Sequence, residues 1–266
     1  MRSEYEAVER LSNTGMGHLK RSPLHYRYWR DNAKASEATS PALVAGIAAH
    51  MAILEPHRFS KEYESMPDVS HLTPGQKAGV TKAIRSMTKG SEKKLITYDS
   101  YQDIIGMRDA VAANRAATEL LNCEREVEYF WRDKVSGALC KGRVDAINIG
   151  AGYIADLKTT ENASEEAFKG SIYKYSLYRQ AAFYMSAAEG INKFYWVVVE
   201  KNPPYGVAIY SIDRHNKFFD MGEEEYSYCC SVYAHCISSG IWEGYNVFPN
   251  AIDCKQQGIK SDWLSD

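Results

Sequence analysis

The stretch GRVDAINIGAGYIADLKTT, Gly142–Thr160, decides how this chain is read. Two apolar runs flank a Gly-rich turn, which is a hairpin signal. They carry Asp145, Asp156 and Lys158, and charged groups in such runs are costly unless something pairs with them. Alternate side chains of a strand share a face, so Asp156 and Lys158 point the same way with Ile154, and Asp145 points with Arg143 and Ile147. A hairpin brings Asp145 beside Asp156. Two carboxylates a few ångströms apart repel and tend to share a proton. A divalent cation removes that conflict, and oxygen ligands favour Mg²⁺ or Mn²⁺. Lys158 then stands beside a water on the metal, placed to orient it, help deprotonate it or stabilise charge developing on a phosphate. That chemistry fits phosphodiester hydrolysis. From the D-x(10)-D-x-K spacing alone, a salt bridge at a sheet end, pairing either acid with Lys158 or Arg143, is the simpler reading.

Outward from this hairpin, the chain reads as one α/β domain over 1–266. A helical N-terminal part covers about 1–122, a core about 123–240 and an irregular tail 241–266. Helices are expected within His18–Asn32, over Ser40–Pro56 (capped by Ser40, stopped before Pro56), over Leu72–Gly90 and over Tyr101–Asn122. Strands follow at about Glu126–Arg132, Ala138–Ile149 and Tyr153–Thr159. A helix is expected over Tyr173–Gly190, a buried strand over Lys193–Lys201 with a hairpin partner at Gly206–Asp213, and a last helix over roughly Arg214–Gly240. The core order is β-β-β-α-β-β-α, a central mixed sheet flanked by helices.

Composition sets few limits. Of 266 residues, 45% are hydrophobic and 25% charged, ordinary for a soluble enzyme. The net charge of −2 carries no global basic signature, so a nucleic-acid partner requires local positive charge or metal ions. The first residues, MRSEYEAVERLSN, lack the apolar segment of a secretory signal, and Ala42–Leu54 is too short for a typical bilayer span. A cytoplasmic protein with no membrane partner is expected. Cys123, Cys140, Cys229, Cys230, Cys236 and Cys254 show neither a disulfide framework nor CxxC spacing. Reduced, mostly buried thiols are the expectation.

Four motifs in order carry a family resemblance. GRVDAI…IADLKTT resembles the PD-(D/E)xK nuclease signature, with Val144 where the pattern has proline. GIAAHMAILEP, Gly46–Pro56, resembles the G-x-x-x-H…E segment of the RecB-like branch, and QAAFY, Gln180–Tyr184, its Q-x-x-x-Y motif. GALCKGRVD, IADLKTT and YSLYRQAAFY are similar in order and spacing to the exonuclease VIII (RecE) type of nuclease domain from phage-type recombination systems. The similarity runs from about RSPLHYRYW (Arg21–Trp29) to beyond FYWVVVEK (Phe194–Lys201).

The resemblance implies a PD-(D/E)xK core and a metal-dependent 5′→3′ exonuclease on linear double-stranded DNA that leaves 3′ single-stranded overhangs; the alternatives are a non-catalytic DNA-end-binding module of the same fold, or an endonuclease or 3′→5′ nuclease of the superfamily. It implies two Mg²⁺ or Mn²⁺ ions per site. His50, alone best read as a core histidine, becomes a metal ligand, and imidazole suits Mn²⁺. Asp145 bridges the ions, Asp156 is the second carboxylate, the Leu157 carbonyl also binds and Lys158 is the catalytic lysine. Gln180 and Tyr184, one helical turn apart, support that lysine and contact substrate; a Tyr-rich core face is the alternative for Tyr184. By the same resemblance one of Lys20, Arg21, Arg27 and Arg30, an arginine of this basic-aromatic stretch, holds the 5′-phosphate of the DNA end, unless the stretch is only a solvated helix face. Thr159 and Thr160 are further DNA-binding candidates. Glu126 and Glu128 share a strand face, and either can add an auxiliary acid. The partners implied are DNA ends, a ring of three or four copies and a single-strand annealing protein.

Overall fold

The structure is a computed structural model that describes Tyr5 and residues 8–32, 41–87 and 93–245. Cys254 and most of the expected tail lie outside the described residues. In chain order the elements are α1 (Asn13–Arg21), α2 (Pro23–Asn32), α3 (Pro41–Leu54), α4 (Pro56–Glu62), β1 (Tyr63–Ser65), α5 (Pro74–Met87), β2 (Lys94–Ile96), α6 (Tyr98–Ala113) and α7 (Arg115–Leu121). They continue as β3 (Glu124–Arg132), β4 (Leu139–Asn148), β5 (Tyr153–Thr160), α8 (Glu165–Lys174), α9 (Leu177–Ala187), β6 (Lys193–Glu200), β7 (Val207–Asp213) and α10 (Lys217–Ser239).

Several expected single helices are pairs. Ser12 caps α1 by accepting from the Gly15 N–H at 3.1 Å, and Pro23 restarts the chain as α2. Asn114 ends α6 and caps α7, its side chain accepting from the Ala117 N–H at 3.0 Å. The helix expected over Tyr173–Gly190 is broken at Ser176, which takes the left-handed φ of 50°. No glycine or proline marks that break. It lets α9 turn into the interior, where nearly its whole length is buried. The strands β1 and β2 pair in parallel and are too short for a periodic pattern to reveal them.

The central sheet has five strands in the order β3-β4-β5-β6-β7. Only β5 and β6 are parallel, joined by the crossover through α8 and α9; the other pairs are antiparallel. One face packs on α1, α2 and α8–α10, with Trp196, Phe183 and Phe168 at the centre of that core. The other face packs on α3, α4, α6 and α7, with Leu54, Ile104, Leu157 and Val197. Among the described residues no helix is long and apolar enough to cross a membrane.

The expected alternation along β4 is corrected. Val144 and Ile147 both lie in the first core while Ala146 lies in the second, so the strand slips its phase between them. Asp145 therefore does not share a face with Ile147. Opposite the slip, Glu126 has φ 52°, and the register passes from the Arg125–Ala146 pair to Val127–Val144. Paired irregularities of this kind re-aim side chains. The β4–β5 pairing also stops at Ala146–Ala155, so the two strands fork just where Asp145 and Asp156 sit.

Helix α9 is clamped between the sheet and α10 at one close approach. A Cβ added at Gly222 on α10 would lie 2.3 Å from the Tyr178 carbonyl oxygen. Backbone cannot yield there without separating the helices. Gly222→Ala should destabilise the protein by about 1–3 kcal/mol, read as a lower urea midpoint at unchanged m-value.

Candidate functional site

The fork between β4 and β5 leaves the Leu157 N–H without a ladder partner, and the Asp145 carboxylate fills the gap. Asp145 Oδ2 accepts from the Leu157 N–H at 2.7 Å and lies 2.8 Å from His50 Nε2. Asp145 is 9% exposed. His50 arrives from α3, on the second-core side, where small residues such as Ala48, Ala49 and Ala52 are buried and bring the helix close. On its other nitrogen, His50 Nδ1 is 3.5 Å from Glu126 Oε1. Ligand atoms of His50, Glu126 and Asp145 all lie within 4.8 Å of one another, a geometry that can hold a metal ion.

Asp156 and Lys158 project to the first-core side, as their alternation predicts. Asp156 is 1% exposed, with Oδ2 2.5 Å from Lys158 Nζ and Oδ1 accepting from Gln180 Nε2 at 3.0 Å. Gln180 lies on α9, as does Tyr184, whose ring edge sits over β4: a Cβ on Gly142 would meet it at 2.9 Å. Gly142 is a strand-interior glycine, and such a residue signals close approach. The sequence reading did not use it, nor the anchor of α9. Arg179, 4% exposed, donates from Nη1 to Glu225 Oε1 at 2.7 Å and from Nε to Asn13 Oδ1 at 3.0 Å, tying α9 to α10 and α1. An arginine inside an apolar helical run was the available sign.

Other candidates fall elsewhere. Glu128 pairs with Arg143 at 2.5 Å, so of the two strand acids only Glu126 reaches His50. Lys20 pairs with Glu225 at 3.0 Å, Arg21 donates to the Tyr245 hydroxyl at 2.9 Å, and Arg27 pairs with Asp31 at 2.8 Å. Arg30 pairs with Glu9 and Asp31. Lys20 and Arg21 line a groove with α10, apart from the residues around Lys158. Thr159 and Thr160 follow Lys158 along the wall of a second groove.

The electrostatics follow from burial and crowding. Burial alone would lower the pKa of His50, but Asp145 first, then Glu126 and Asp156, outweigh it and raise the pKa. Burial pushes Asp156 up to about 6; Lys158 opposes and Asp145 adds to the push. Glu126 is raised by burial and by Asp145. Asp145 is held low because His50, Lys158 and the Leu157 N–H overcome its burial. Lys158 is raised, burial being outweighed by Asp156 and Asp145. An aggregate of three acids, two of them reluctant to ionise, suits a cation: the imidazole nitrogen and carboxylate oxygens are a donor set for Mn²⁺ or Mg²⁺.

The raised His50 stabilises the fold fully below pH 6.5, and this is lost as pH rises through its folded value. Between 3.8 and about 6, native Asp156 binds more protons than the unfolded chain, so stability falls with rising pH by on the order of 3 kcal/mol. Asp145 titrates below this window and Lys158 above it. His18, lowered by burial, Arg21 and His25, works the other way. With a chelator present, the melting temperature of wild type should therefore drop from pH 5 to pH 8 more steeply than that of His50→Gln/Asp156→Asn. An equal or shallower slope contradicts this charge arrangement.

Comparisons with known proteins agree with this architecture. A solved structure described as "Putative exonuclease" from Eubacterium rectale superimposes with a TM-score of 0.59 at 11% identity, covering 97% of this chain and 98% of that one. That likeness is one of fold. A phage-related exonuclease from Haemophilus somnus is matched over 73% of this chain and 95% of its own at 13% identity, with a TM-score of 0.38, too low to carry an argument. No curated protein sequence matches. The family described as a PDDEXK-like domain of unknown function (DUF3799) matches residues 14–246, with the fork, His50, Asp145, Asp156 and Lys158 all inside the match, and the chain belongs to it.

Proposed function

We propose that the protein is a divalent-cation-dependent nuclease. One observation carries the reading: donor atoms of His50, Glu126 and Asp145 converge within 4.8 Å, beside the buried Asp156–Lys158 pair. A bound cation supplies Lewis-acid activation of water and neutralises charge on the phosphate. His50, Glu126 and Asp145 would hold it, with Asp156, the further carboxylate that the motifs imply, beside them. In the finer reading drawn from the motifs, Asp145 and the Leu157 carbonyl would also help to hold a second ion.

The chain's own groups do the rest. Lys158, kept as an ammonium by its acidic neighbours, is a donor to a phosphate oxygen or to the attacking water. Gln180 fixes one oxygen of Asp156 and thereby the aim of the other. Tyr184 stays neutral, its pKa raised by burial and by Asp156, and is placed as a hydrogen-bonding group and not as a base.

The finer reading is a 5′→3′ exonuclease on duplex DNA ends, feeding 3′ overhangs to a single-strand annealing protein from within a ring of three or four copies. It is supported by the order and spacing of the four motifs. The cytoplasm is the compartment such a partner set requires.

The test is nucleotide release from linear duplex DNA in Mn²⁺ or Mg²⁺. Wild type should release 5′-mononucleotides, and Asp145→Ala, Asp156→Ala and Lys158→Ala should each lose on the order of 10²- to 10³-fold or more. Addition of Mn²⁺ should raise the melting temperature of wild type but not of Asp145→Ala. End-labelled duplexes read polarity; degradation of covalently closed circles would remove the exonuclease assignment. Absence of cleavage with intact binding would leave a DNA-end-binding module.

A further inference from the structure

We propose that the groove beside Lys158 is a single-strand subsite, in which one nucleotide unit of the DNA strand lies with its base stacked on Tyr175. This rests on the nuclease reading above.

The groove has a volume of about 540 Å³ and runs past Lys158, Thr159, Asn162, Phe168, Ser171 and Tyr175. Small-molecule sites span about 300–1,000 Å³, so it takes a nucleotide unit and not a duplex. Lys158 lines it, with its ammonium paired to Asp156 Oδ2 at 2.5 Å. Tyr175 lines it too, in the break between α8 and α9, next to left-handed Ser176.

Tyr175 is 59% exposed, a large ring facing water at a groove mouth. Lys174 Nζ lies 5.1 Å from its ring centroid, and among the described residues the ring meets no other aromatic. Its neighbour Tyr173 differs: equally exposed, it packs on Phe218 at 5.1 Å between centroids and on Tyr178 at 6.3 Å. Tyr173 is a packing residue; Tyr175 is left with an open face. The acid in the wall, Glu161, is matched by Lys201 at 2.9 Å and by Asn202 at 3.0 Å, so it does not repel a phosphate as a bare charge would. An open aromatic face carrying a cation, in one groove with the Lys158 ammonium, is the composition by which proteins hold single strands without reading sequence.

The probe is a single-stranded oligonucleotide carrying 2-aminopurine, titrated in Ca²⁺ or with a chelator so that binding needs no cleavage. Wild type should quench the probe. Tyr175→Ala should weaken binding on the order of tenfold and abolish the quench, while Tyr175→Phe retains both. Unchanged melting of Tyr175→Ala shows that its fold is intact. Equal binding and quenching by Tyr175→Ala, or a wild type that leaves the strand's fluorescence unaltered, overturns the subsite. Quenching of free 2-aminopurine deoxynucleoside monophosphate without quenching of the strand also overturns it. The nuclease reading falls separately, if strand binding follows Tyr175 as expected while no linear duplex is cut.

Discussion

A single carboxylate holds the site together. Asp145 accepts from the Leu157 N–H across the fork of two strands and meets the His50 imidazole from the opposite helical layer. Without it the forked backbone would leave a buried donor unpaired, a loss of about 1–3 kcal/mol. The same carboxylate fixes the spacing between β5, which carries Asp156 and Lys158, and α3, which carries His50. Backbone repair and ligand placement are thus one interaction. It explains why the strand irregularities cluster here: the phase slip at Asp145–Ala146 and the left-handed Glu126 both turn polar groups out of a sheet whose two faces are otherwise apolar.

The second half of the site depends on α9. That helix is buried along nearly its whole length, an unusual environment for a segment with an arginine and a glutamine. Both polar groups are satisfied by specific partners, Arg179 by Glu225 and Asn13, and Gln180 by Asp156. Two missing side chains set its position, Gly222 on α10 and Gly142 on β4, each admitting a tyrosine of α9 at close range. The helix is therefore located by an ion pair and a steric gap against α10, a hydrogen bond to Asn13 of α1 and a second gap against β4, which defines where Gln180 points.

Much of this was readable beforehand. The hairpin, the alternation of Asp156 with Lys158 and the order of strands and helices follow from local periodicity and caps. The motif order pointed to His50, which the 95-residue separation from Asp145 hides from any local reading. What escaped was set by tertiary packing. The phase slip in β4 depends on where β5 departs, and the break at Ser176 depends on α10 and the sheet enclosing α9. Choosing Glu126 over Glu128 required knowing that Arg143 sits opposite Glu128.

The two separate cores have a consequence for how the molecule loosens. His50 belongs to a layer that packs on the sheet face opposite the one holding Gln180 and Tyr184. Were the outer helices α3 to α7 to lift as a unit, the imidazole would withdraw from Asp145 while Lys158 stayed with Asp156 and Gln180 on the other face. Occupancy by the proposed cation would then gauge how firmly that layer is seated.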